Sequence, residues 1–218
     1  MKKRLVIALI MLVLLSTYTP QKLTLSSIFT IKEIKINNNF ILKEEEITNN
    51  LTFLYGSNIF FLNSALIENK LKNLYFVKSI EIKKIYPNKL KIKIFEKKPI
   101  AILYKKKKKF YLSESFDLID YTYLENSEYL PVIYGTKDKF KILYKNLKET
   151  NFPLELIKKY FLYESNRWDI ETNTKRVIKL PSKNYKKSLK NFLDIRGKNN
   201  FNEYKVFDYR INNQLILR

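Results

Sequence analysis

The chain of 218 residues has no cysteine and no histidine. Without cysteine there is no disulfide, no thiolate nucleophile and no thiolate metal site. Without histidine, the usual general base near neutral pH and the commonest metal ligand are both missing. Glycine is almost absent, with Gly56, Gly135 and Gly197 alone. A phosphate-cradling loop needs clustered glycines so that backbone N–H groups can approach the phosphates, which speaks against nucleotide-dependent chemistry. Acidic residues are outnumbered, 21 against 42 basic ones, giving a net charge of +21. Such a balance fits nucleic-acid or anionic-membrane binding. An A/T-rich codon bias, which favours Lys, Asn, Ile, Tyr and Phe, gives the same picture. Arginine, the preferred base reader, is scarce, so no nucleic-acid partner is expected.

What is present argues for folded structure. Hydrophobic residues make up 45% of the chain, with 16 Tyr and 15 Phe. Near the start, Lys2, Lys3 and Arg4 precede an apolar run from Leu5 to Leu15. Basic residues before an apolar stretch orient the N-terminus to the cytoplasm. The run is short for a span, which wants about 20 apolar residues, but snorkelling of Lys2 and Lys3 stretches its reach. Tyr18 stands where a cleavage site wants a small residue, so a retained anchor is expected over a cleaved signal. An upstream start would lengthen the run.

Further on, Ile31, Ile34 and Ile36 suggest a strand, ended by Asn37-Asn38-Asn39. Lys43–Leu51 reads as a short helix with acidic residues near its positive end. Asn63 or Ser64 can cap a second helix, with Leu66, Ile67, Leu71 and Leu74 on one face. The period then changes to two. Val77, Ile80, Ile82 and Ile85 lead to the turn Tyr86-Pro87-Asn88, after which Leu90, Ile92 and Ile94 alternate with Lys89, Lys91 and Lys93. That is a hairpin with one apolar and one solvated face. The order strand, helix, helix, strand, strand makes a small α+β module.

The stretch Leu74–Leu103, LYFVKSIEIKKIYPNKLKIKIFEKKPIAIL, resembles the second half of a POTRA domain of the FtsQ type. Asn38 stands near that family's usual turn glycine, a departure asparagine tolerates. Collinear matches follow in FYLSESFDLI from Phe110, LPVIYG from Leu130, Arg167-Trp168-Asp169-Ile170, and Phe207-Asp208-Tyr209-Arg210. The chain is thereby similar to the FtsQ/DivIB family of bacterial cell-division proteins. The resemblance implies a cytoplasmic tail over 1–4, a membrane anchor over 5–20, a linker over 21–30, a POTRA domain (β-α-α-β-β) over 31–98, and a mostly antiparallel β domain with flanking helices over 99–218. It also implies a non-enzymatic, single-pass inner-membrane protein at the division septum, with its bulk outside the cytoplasm. The implied partners are FtsB and FtsL, without cofactor or small-molecule substrate.

In the second domain, Lys105–Lys109 reads as a solvated hairpin tip. Phe140, Leu143, Tyr144 and Leu147 share a helix face, and Pro153 can open a short helix. Leu162–Leu180 reads as strands with Trp168 as core. Tyr185, Leu189, Phe192 and Leu193 suggest a helix ended near Gly197, and two strands follow at Tyr204–Arg210 and Gln214–Leu217. Glu114, Asp117 and Asp120 read as solvated acids, not a catalytic pair. A sheet that ends at the chain terminus can leave an edge open to a partner's strand. From the resemblance, the binding residues are expected at Arg210, Ile211, Asn212, Asn213, Gln214, Leu215, Ile216 and Leu217, with Arg167 nearby. The competing expectations are a POTRA module for outer-membrane assembly or secretion, which would want a barrel this chain has no room for, and a basic nucleic-acid-binding protein.

Overall fold

The apolar run near the start is helical. In the computed structural model, which describes residues 2–17, 28–125, 127–211 and 213–218, α1 covers Lys2–Thr17. Its 16 residues rise roughly 24 Å at ~1.5 Å each, against about 30 Å of bilayer hydrocarbon. Among the described residues no helix is long and apolar enough to cross a membrane. Residues 18–20 of the expected anchor and 21–27 of the expected linker lie outside the described residues.

The rest of the first unit (Met1–Asn39, Lys43–Leu71 and Ile80–Ile94) belongs to a small α+β arrangement. It is built from β1 (Glu33–Asn37), α2 (Glu44–Asn49), α3 (Ser64–Lys72), β2 (Val77–Ile85) and β3 (Lys89–Glu96). The strand order is β1-β3-β2, with β1 parallel to β3 and Ile34 opposite Leu90. Leu90, Ile92 and Ile94 are fully buried, while Lys89, Lys91 and Lys93 face water, so the two-residue period places one face in the core. Ile47 from α2 and Ile67 and Leu71 from α3 complete that core. Asn63 caps α3 through its Oδ1, which accepts from the N–H groups of Ala65 and Leu66. The expected four-residue stripe on α3 is narrower than its spacing suggested. Leu66 is exposed because its neighbour Ile67 carries the i, i+4 face with Leu71, and Leu74 lies beyond the helix end. Asn38 takes the left-handed turn after β1, at φ 66°, and its Nδ2 donates to the Ile94 carbonyl at 2.8 Å.

Glu96, at the end of β3, holds the loop after β1. Its carboxylate accepts the backbone N–H groups of Phe40, Ile41 and Leu42 at 2.9 to 3.1 Å. Glu96→Ala leaves three donors without their anion and is expected to cost about 1–3 kcal/mol, with Glu96→Gln in between. Urea unfolding followed by circular dichroism reads this. An alanine variant as stable as the parent would mean that water replaces the carboxylate at no cost.

The second unit (Phe40–Leu42, Lys72–Ser79 and Phe95–Arg218) carries a nine-stranded sheet. Its strands are β4 (Pro99–Lys105), β5 (Lys108–Ser113), β6 (Leu118–Asp120), β7 (Val132–Tyr134), β8 (Ile157–Leu162), β9 (Trp168–Thr172), β10 (Val177–Lys179), β11 (Val206–Asp208) and β12 (Ile216–Leu217). They lie in the order β12-β11-β10-β9-β8-β7-β4-β5-β6. The turn between β4 and β5 is Lys106-Lys107, both at positive φ, which makes the lysine run a solvated hairpin tip. Two helices, α4 (Lys137–Glu149) and α5 (Lys186–Ile195), connect β7 to β8 and β10 to β11. Both strand pairs are parallel, as such crossovers require. The helices cover the same face. Phe152, just after α4, packs against Phe192 of α5 with ring centroids 6.0 Å apart, and Asn146 Nδ2 donates to the Tyr185 hydroxyl at 2.9 Å. Phe140, Leu143 and Leu147 from α4 and Leu189, Phe192 and Ile195 from α5 meet Ile133, Tyr160, Trp168, Ile170 and Phe207 in the core.

Some expectations need correction. Five of the eight strand pairings are antiparallel, as expected, and three (β4–β7, β7–β8 and β10–β11) are parallel. Pro153 opens a short 3₁₀ helix, Leu154–Leu156, as its cap and not its first residue, and the chain extends from Ile157, five residues before the expected Leu162. α5 stops near Gly197 as expected, at Ile195 with a right-handed Arg196 behind it, but without a left-handed cap. That device is used at the end of α4, where Asn151 (φ 52°) donates to Lys148 O and Phe152 N–H to Leu147 O.

Candidate protein-binding surface

Among the described residues β12 is an edge strand, paired with β11 alone. Arg218 N–H donates to Val206 O at 3.1 Å and Val206 N–H to Arg218 O at 2.9 Å, so these two residues form a hydrogen-bonded pair. Hydrogen-bonded and non-bonded pairs alternate along an antiparallel ladder. Leu217, opposite Phe207, therefore turns its N–H and C=O outward, and the same alternation turns those of Leu215 outward. The side chains of Leu215 and Leu217 pack, partly buried, against the helix-covered core. On that face a groove of about 420 Å³ runs beside the edge, lined among others by Pro181, Lys187, Asn191, Tyr209, Ile211 and Leu215.

The other edges carry charge, β1 among them with Glu33 and Lys35. β6 has three residues and ends at Asp120, with Asp117 just before it. β2 carries Lys78, Glu81, Lys83 and Lys84. Edge charges discourage strand addition, and the two-residue β12 has neither acid nor base within Ile216–Leu217.

The helix-free face of the large sheet carries one continuous cross-strand row. Register places Lys109, Tyr104, Tyr134, Phe161, Asp169, Lys179, Asp208 and Ile216 side by side from β5 to β12. Its first half is aromatic: Tyr104 and Tyr134 stack at 5.2 Å, Tyr134 and Phe161 at 5.0 Å, and Lys109 Nζ sits 5.5 Å from the Tyr104 ring. Its second half is ionic. Arg210 folds back on Asp208, with Nε to Oδ1 at 2.9 Å and an Nη to Oδ2 at 2.6 Å. Those bonds hold the Asp208 carboxyl below its ordinary pKa.

Asp169 is less well served. It is 3% exposed, its Oδ1 lies 3.8 Å from Arg167 Nε, and neither atom has a hydrogen-bond partner. Arg167 stacks on Tyr163 with its guanidinium 4.1 Å from the ring centre. Burial pushes the Asp169 pKa up, against the pull of Arg167 and Lys179. A carboxyl whose folded pKa lies above its unfolded value destabilises the fold once ionised, and the penalty disappears as pH falls below the unfolded pKa, about 3.9. Asp169→Asn is expected to raise the thermal midpoint near pH 7, with the gain shrinking toward pH 4. Melting curves across that range check the sign; a lower midpoint at pH 7 would mean that the ion pair outweighs desolvation.

The expected binding residues gather at the β12 end of the sheet. Arg210 and Ile216 meet at Asp208, and Arg167 lies on β9's side of the same row. Ile211 is exposed, Asn213 turns at φ 59° and accepts a weak bond from Lys187 Nζ at 3.4 Å, and Gln214 N–H donates to Ile211 O. Asn212 lies outside the described residues. Asp169 and Asp208 entered the sequence reading only as members of family motifs, and Lys179 and Tyr163 did not enter it. The alternation Trp168, Ile170 inward and Asp169, Glu171 outward held the signal, since an acid between two core residues must face the other side of the sheet.

Residues 101–210 match the family described as cell division protein FtsQ/DivIB, C-terminal. The chain belongs to the FtsQ/DivIB family. Residues 29–97 match the FtsQ-type POTRA domain, so both the α+β unit and the nine-stranded unit have counterparts in the family. The chain is 32% identical over 170 residues to "Cell division protein FtsQ" of Rickettsia bellii, 32% over 168 residues to that of Rickettsia typhi, and 29% over 170 residues to that of Rickettsia conorii. Each alignment covers 74% of this chain and 62% of the relative.

Proposed function

We propose that this FtsQ/DivIB member is a membrane-anchored, non-catalytic scaffold of cell division that binds the extracytoplasmic parts of FtsB and FtsL by strand addition at β12. The observation that carries the reading is the free edge, with the N–H and C=O of Leu217 aimed away from the sheet. A strand added there gains main-chain bonds, which give affinity, while its alternating side chains fall to either side of the sheet and give selectivity. On one side they meet the groove beside Ile211 and Leu215; on the other they meet Ile216, Arg210 and the ionic row ending in Asp169.

In this reading α1 anchors the chain in the inner membrane with the N-terminus cytoplasmic, residues 31–98 form the POTRA domain, and residues 99–218 form the partner-binding domain. Capture of the FtsB–FtsL extracytoplasmic segments by the chain in detergent tests it. Binding that survives high salt supports strand addition, because main-chain bonds are not screened as surface charge pairs are. Binding that disappears with salt would reduce the interaction to the attraction of a +21 chain for acidic proteins.

A further inference from the structure

Three aromatic rings stack on the POTRA unit away from its core. Phe29 and Phe60 have centroids 4.8 Å apart, and Phe60 and Tyr86 5.0 Å. Phe60 and Tyr86 are exposed, and the adjacent Phe61 is 87% exposed. The rings sit where the chain enters the unit. Phe29 O accepts Ile59 N–H at 2.9 Å, Thr30 bridges Asn58, and Lys32 N–H donates to Asn88 O at 2.9 Å. The rim is basic. Lys84 Nζ donates to Phe60 O at 3.2 Å, which keeps an ammonium beside the rings, and Lys32 is exposed. The nearby acid, Glu33, is engaged by Lys89 at 2.6 Å and Lys35 at 3.4 Å.

We infer that this aromatic and basic pole, centred on Phe60, Phe61 and Tyr86 with Lys32 and Lys84, seats in the headgroup layer of an anionic bilayer. The inference rests on the reading of α1 as a membrane anchor. Ten residues separate Thr17 from Ile28, so a fully extended chain holds the pole within roughly 40 Å of the end of α1. Such a tether keeps the pole at a high effective concentration beside the lipid, where a weak surface affinity suffices. Aromatic rings favour the interface between headgroups and acyl chains, and lysines around them favour anionic lipid. A protein partner of the pole would need acidic surface and would not be selected by the tether.

The absence of native cysteine gives a clean test. The full chain carrying Phe61→Cys is labelled with a nitrobenzoxadiazole probe and reconstituted in vesicles of phosphatidylcholine and phosphatidylglycerol containing spin-labelled lipid. Glu45→Cys, on the exposed side of α2, serves as reference. Retention of the chain on the vesicles through an alkaline wash tests the anchor separately. The expected result is retention, with quenching several-fold stronger at position 61 than at 45, and reduced several-fold in pure phosphatidylcholine or by Lys84→Glu. Retention with equal or no quenching overturns the seating and leaves the anchor standing. Loss of the chain in the wash overturns both. A position-61 probe that is shielded only as protein concentration rises shows a contact between chains and also overturns the seating.

Discussion

Gly135→Ala is expected to destabilise the larger domain by about 1–3 kcal/mol, and Gly135→Val by more, because the site has no room for a side chain. A Cβ on Gly135 would lie 2.9 Å from Leu162 Cβ and 2.9 Å from Trp168 Cη2. Leu162 Cβ is fixed to the backbone of β8, so it cannot swing aside. Trp168 is 3% exposed and wedged against Phe140 and Tyr160, with centroids at 6.3 and 6.5 Å. Gly135 is not at positive φ, so its importance comes from this close approach and not from backbone freedom. An alanine variant is expected to lose roughly 4–10 °C of thermal midpoint, read by the fluorescence of Trp168, the single tryptophan. The packing account makes a second demand. In a Trp168→Phe background, followed by circular dichroism, the same alanine should cost less, because the ring tip it strikes is gone. Equal cost in both backgrounds would overturn it. The contact also bears on the candidate surface: Trp168 inward is what holds its neighbours, Arg167 just before β9 and Asp169 on it, at the ionic row.

Much of this architecture was legible from period and punctuation. The strict alternation of Leu90, Ile92 and Ile94 with lysines specified β3 and its buried face, and Phe140, Leu143 and Leu147 specified the buried face of α4. Turn positions were legible only in part. In a chain with three glycines, asparagine takes five of the nine non-glycine left-handed positions among the described residues, and Asn38 and Asn213 fall in recognisable Asn clusters whereas Asn151, Asn166 and Asn184 do not. The parallel pairings of β7 with β8 and β10 with β11 were hidden because three-residue strands such as β7 and β10 carry too few residues to show a period. The edge position of β12 was anticipated from the strand pattern and from family likeness. The row of Tyr104, Tyr134, Phe161, Asp169, Lys179 and Asp208 was not, since those residues come from six strands and only the register brings them together.

Leu217→Pro should separate strand addition at β12 from every other way of binding there. Proline at 217 removes an N–H that points away from β11 and leaves the Arg218–Val206 pair intact, so the sheet keeps its own ladder while the incoming strand loses a donor and meets the ring. Affinity for an FtsB–FtsL segment is expected to fall roughly 10- to 100-fold, corresponding to about 1.4–2.8 kcal/mol. Leu217→Ala gives the contrast. It removes side-chain packing against the core but keeps the outward N–H, and should weaken binding much less than proline does. Deletion of Gln214–Arg218 should abolish binding while the POTRA unit, whose core draws on Ile47, Ile67, Leu71 and Leu90, stays folded. If proline and alanine weaken binding equally, the side chain and not the edge carries the contact. If the folded deletion variant binds as the parent does, the partner docks elsewhere on the molecule.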